Sequence, residues 1–131
     1  MSLHNDKENR HDVFNKSKYE WWSQCMISLE HENNYLMAYE EMMYLTTRRA
    51  RLKVLVTYYD DDTPEETQNI FITLCENFSL IIRQSNILFN ENEQTEYLLI
   101  VGSRLKDQQT VIWSIQAFNW SGQWTEKFSE L

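Results

Sequence analysis

The run Leu52-Lys53-Val54-Leu55-Val56-Thr57-Tyr58-Tyr59 constrains the fold more than any other part of the chain. It is rich in β-branched and aromatic residues and almost continuously apolar, the pattern of a strand covered on both faces. Upstream, Met26-Ile27-Ser28-Leu29-Glu30-His31-Glu32 alternates apolar with polar and reads as a second strand, the end of an extended stretch from Tyr19. Between the two, Asn33 and Asn34 suit a helix cap, and Tyr35, Ala38, Met42 and Leu45 repeat on one face of a helix reaching about Arg49. A strand, a helix and a buried strand in that order specify a βαβ unit with parallel strands and a right-handed crossover.

Asp60-Asp61-Asp62 is expected to end the buried strand. Thr63-Pro64-Glu65-Glu66 then opens a second helix: threonine at the cap, proline in the first turn and glutamate at the third position form a capping box. Ile70, Leu74, Phe78 and Ile81 give its apolar stripe, which fades near Gln84 to Asn86. After a polar loop at Asn90 to Gln94, Tyr97 to Gly102 and Thr110 to Phe118 read as two strands of a hairpin joined around Lys106 to Gln109. Trp120 and Trp124 in the tail are expected to fold back on the sheet. The expected class is therefore α/β: a mixed β-sheet with a central βαβ unit, two helices and a C-terminal β-hairpin. Residues 1–10 read as a flexible polar start, and 11–131 as a single domain.

Composition narrows the function classes. A chain of 131 residues that is 42% hydrophobic and carries five tryptophans holds enough apolar mass for one core, and is not a disordered tail. The net charge of −8 runs against free-standing nucleic-acid binders, so any such role needs a local basic patch, a bound metal or a partner protein. Cys25 and Cys75 sit in apolar or aromatic runs with no metal-ligand spacing and read as buried free thiols. No signal peptide and no membrane span is visible, so a cytoplasmic protein with no membrane contact is expected.

The chemistry-bearing candidates are acidic. Glu30 and Glu32 are two apart on a strand, so both point to one side, where their mutual repulsion would favour a cation. They lie at the carboxyl end of the first parallel strand, where sites of α/β sheets gather. Asp60 to Asp62 lie at the end of the second strand and are read as a solvated turn, while Glu40 and Glu41 lie on the intervening helix and are read as surface positions. Mg²⁺ accepts two or three carboxylates and keeps several waters, one of which could attack a phosphodiester. His31 points the other way, onto the apolar face, as a core or interface residue. Arg48, Arg49, Arg51 and Lys53 form a basic cluster that could contact phosphates, or could cap the first helix and pair with nearby acids. Trp21-Trp22 reads as core or dimer interface.

In its ordering the chain resembles the PD-(D/E)XK, or restriction-endonuclease-like, superfamily over residues 10–60. Asp12, within Arg10-His11-Asp12-Val13, matches the first acid, and Glu30-His31-Glu32 matches the second motif. The resemblance implies a Mg²⁺-dependent nuclease acting on nucleic acid. Asp12 and Glu30 would be metal ligands, and Glu32 a third ligand or water-orienting base, with Glu41 behind them. Glu32 stands where the family carries lysine, a role that a carboxylate cannot fill. The implied chain is thus a minimal or degenerate member, either active or a catalytically inactive relative. The alternative is a non-enzymatic acidic module that binds a protein partner or a second copy of itself.

Overall fold

The computed structural model describes residues 26–61, 63–89, 93–105 and 110–125. Asp12, Cys25 and Trp21-Trp22 lie outside them. In chain order the elements are β1 (Ile27–Glu32), a 3-10 turn (Tyr35–Met37), α1 (Ala38–Thr46), β2 (Leu52–Asp61), α2 (Pro64–Phe89), β3 (Glu96–Leu105), β4 (Ile112–Asn119) and β5 (Trp124–Thr125). The five strands form one mixed sheet in the order β1-β2-β3-β4-β5. β1, β2 and β3 run parallel, while β3–β4 and β4–β5 are antiparallel. The fold is thus the α/β class, with the βαβ unit and the hairpin that the sequence leads one to expect.

Both helices pack on the same sheet face. Successive parallel strands step in one direction across the sheet, so two crossovers of one hand must fall on one side. The core on that side joins Ala38, Met42 and Leu45 of α1 and Leu74, Phe78 and Ile82 of α2 to Leu55, Tyr97, Leu99, Val101 and Phe118 of the sheet. Phe78 meets the rings of Tyr97 and Phe118 edge to face, with centroids 5.7 and 5.3 Å apart. The other face carries a smaller cluster, Leu52, Val54, Leu98 and Ala117 with Val56 and Ile100 against it. Around that cluster Ile27, Leu29, Trp113 and Ile115 are each at least half exposed.

Three element boundaries differ from the sequence pattern. The first helix is shorter than 34–49. Asn34 is extended, and its side-chain oxygen accepts from the Leu36 amide at 3.0 Å, which starts a 3-10 turn before α1. At the far end Thr46 and Thr47 donate their hydroxyls to Met43 O and Tyr44 O, both at 2.7 Å, and α1 stops there. β2 continues through Asp60 and Asp61, opposite Arg104 and Leu105, instead of ending at Tyr59. α2 runs on to Phe89, with Ile87, Leu88 and Phe89 exposed. The short β5 was not separately legible, but Trp124 does return to the sheet, 6.1 Å from the Phe118 ring.

Candidate functional site

Glu30 and Glu32 alternate onto the helix side of β1, with Ser28, and both are half-buried. The apolar members of the same strand, Ile27 and Leu29, are the exposed ones. Among the described residues β1 is the edge strand, so its helix-side residues look across the rim of the sheet toward α1. The crossover returns α1 over this rim, and its first turn brings Glu40 and Glu41 with it.

The result is a concentration of carboxylates. Glu41 holds its proton more tightly than an ordinary carboxyl. The largest cause is the hydrogen bond it donates to the Glu30 carboxylate when protonated, followed by partial burial and the charges of Glu30, Glu32 and Glu40. Arg48, just past α1, supplies the opposing charge through an ion pair with Glu30. Beside Glu32 in the register stands Thr57 of β2. Its side chain is fully buried, and its hydroxyl has no hydrogen-bond partner. An orphaned buried hydroxyl at the foot of a carboxylate pair suits an ordered water or a hydrated cation.

The remaining candidates separate. Asp60 points to the opposite sheet face, where its carboxylate lies 3.6 Å from Arg104, so it does not join Glu30 and Glu32. Arg49 and Arg51 are exposed. Lys53 is not a surface cation. It is fully buried on the helix side, donating to Thr46 O at 3.3 Å and to the Tyr97 hydroxyl at 3.2 Å. Lys53 therefore serves the carboxyl end of α1, the capping alternative that the sequence offered for the basic cluster. His31 is an exposed residue of the open face, with Nε2 3.1 Å from the Tyr58 hydroxyl. Cys75 is a buried free thiol, as expected.

Two carboxylates with a third beside them form a partial donor set. Among the described residues no group of three or more His, Cys, Asp or Glu side chains is arranged to hold a metal ion. A complete octahedral site would need a further ligand, and Asp12 lies outside the described residues. Sequence reasoning missed Thr57, which carried no signal beyond its place in an apolar run. It left Lys53 open between phosphate contact and the helix end; the deciding signal was that same run, since a lysine flanked by Leu52 and Val54 in a buried strand has to find partners inside. No described helix is long and apolar enough to cross a membrane. Comparison with protein-family models, with curated proteins and with solved structures finds no match.

Proposed function

We propose that this chain is a nuclease-like domain of the PD-(D/E)XK type, whose Glu30 and Glu32 bind Mg²⁺ at the rim of β1. The observation that carries the reading is the crowding of Glu30, Glu32 and Glu41 at one strand end, which raises the Glu41 carboxyl above its ordinary pKa. A divalent cation relieves that crowding better than one arginine does, because it carries two charges and several coordination positions. On this reading Arg48 is the resting counter-ion of Glu30 and releases it when metal binds. Asp12 would complete the ligand set, the cation would supply Lewis-acid activation, and Glu32 would orient a water toward a phosphodiester of nucleic acid. Arg49 and Arg51, exposed beyond α1, would meet backbone phosphates, offsetting a net charge of −8.

The second reading, a protein-binding module without catalysis, is favoured by a different observation: the exposed apolar face built from Ile27, Leu29, Trp113 and Ile115. One pair of measurements separates the two. A cation that binds only the folded chain, at 100 times its dissociation constant, adds about 2.7 kcal/mol of stability. The nuclease reading predicts a rise in Tm with Mn²⁺ that Glu30→Gln abolishes, together with Mn²⁺-dependent cleavage of DNA or RNA. Binding without cleavage identifies an inactive relative. Neither binding nor cleavage leaves the interaction module.

A further inference from the structure

The open face of the sheet holds a hollow at the carboxyl ends of β2 and β3, on the side away from the carboxylate rim. It has a volume of about 240 Å³ and is lined by Tyr58, Asp60, Gly102, Ser103, Arg104 and Val111. Gly102 forms part of its lining, where the Trp113 and Tyr58 rings close over the bare Cα: a Cβ there would lie 2.8 Å from the Trp113 ring and 3.0 Å from the Tyr58 ring, so any other residue would push those rings away. Tyr58 is the aromatic wall. Its hydroxyl is held by His31 Nε2 at 3.1 Å, and its ring is braced by His31 on one side and Trp113 on the other, at centroid distances of 5.2 and 5.8 Å. Three rings from three different strands thus form a row across the sheet, although none is near another in sequence.

The polar end of the hollow is a carboxylate beside a guanidinium. Asp60 Oδ1 and Arg104 Nε are 3.6 Å apart, longer than a hydrogen bond, and both side chains are at least half exposed. Each therefore keeps capacity for a ligand. A carboxylate takes two adjacent N–H donors, and a guanidinium takes neighbouring acceptors. A planar ring that offers both along adjoining edges, and stacks on tyrosine, is a guanine: N1–H and the N2 amine for Asp60, O6 and N7 for Arg104. Adenine lacks the paired donors. The volume is below the roughly 300–1,000 Å³ typical of clefts for drug-sized ligands, which suits a single base rather than a larger ligand.

We infer that this hollow is a binding site for a guanine base, formed by Tyr58, Asp60 and Arg104 beside Gly102. It does not rest on the metal reading, because it uses no residue of the carboxylate rim. The test is an NMR titration of the full chain with 5′-GMP, 5′-AMP and inorganic phosphate, following the backbone amides of Gly102, Ser103 and Arg104 and the indole of Trp113. The expected result is saturable shifts at these positions with GMP, in the millimolar range for a partly exposed site, and at least about tenfold weaker binding of AMP. Phosphate alone leaves them unmoved. Asp60→Asn, at a position exposed enough to leave the fold intact, weakens GMP by about tenfold and does not change AMP. Gly102→Ala, whose methyl displaces the Tyr58 and Trp113 rings, abolishes the shifts while the remaining spectrum stays folded. The inference is overturned by GMP shifts that are absent, that lie elsewhere, that AMP or phosphate reproduces, or that Asp60→Asn leaves unchanged.

Discussion

Glu41 is the side chain through which the carboxylate rim responds to pH. Its proton is held more tightly in the folded chain than in the unfolded one, so the folded state binds more protons just above the ordinary carboxylate range. Stability therefore falls as pH rises through that interval, and the loss persists at neutral pH. Glu41→Gln removes the penalty. Thermal melts should show the variant more stable than the parent at pH 7 and level with it below the ordinary carboxylate range. A variant that melts lower at pH 7 would mean that the Glu30–Glu41 contact is absent in solution. Lys53 makes the opposite point about charge. Lys53→Met keeps the buried stem but strips the Tyr97 hydroxyl and the Thr46 carbonyl of their donor, and should cost about 1–3 kcal/mol in denaturant unfolding. Burial pushes the Cys75 thiol up to about 12. In a Cys25→Ser background, native protein at pH 8 should resist thiol reagents and react only as it unfolds. At this scale the sequence was most legible where period 2 alone decides the outcome: Glu30 and Glu32 share a side because alternating side chains must. It was least legible for Lys53 and Thr57, whose surroundings are set by which helix end and which strand lie beside them.

Among the elements, the best-read were those whose ends carry their own chemistry. α2 begins where Thr63 announces it, with the Glu66 amide donating to Thr63 Oγ1 at 3.2 Å. Thr63→Ala should cost about 1 kcal/mol. α1 was overestimated because Arg48 and Arg49 read as its last turn, whereas two threonines turn their hydroxyls back on the last carbonyls and the helix stops at Thr46. β5 escaped notice because two residues are too few to show a period; a turn holds them in place. Asn119 accepts the Ser121 and Gln123 amides, each at 3.0 Å. Gly122 follows at φ 86°, its carbonyl taking the Ser79 hydroxyl of α2. A Cβ there would lie 2.4 Å from Ser79 O, besides occupying a left-handed backbone. Gly122→Ala should therefore cost at least about 1–3 kcal/mol, measurable as a lowered midpoint in urea. Loss of the Trp124–Phe118 contact should accompany it, seen by NMR.

The described residues form a sheet whose two faces differ in covering. Steady stepping of β1, β2 and β3 puts both helices on one face and gathers the rim carboxylates beneath the start of α1. The other face is left with an aromatic row and exposed isoleucine and leucine side chains. The sequence foretold the class, the βαβ unit and the hairpin. It did not foretell how open this face is among the described residues, because the apolar half of β1 reads the same whether a helix covers it or not. The central claim is that Glu30 and Glu32 share a divalent cation. Isothermal titration of the full chain with Mn²⁺, beside the Glu30→Gln, Glu32→Gln and Asp12→Asn variants, tests it most directly. The account predicts one saturable site per chain, lost in Glu30→Gln and weakened in the other two. Heat that never saturates, or a site that survives Glu30→Gln unchanged, would contradict it.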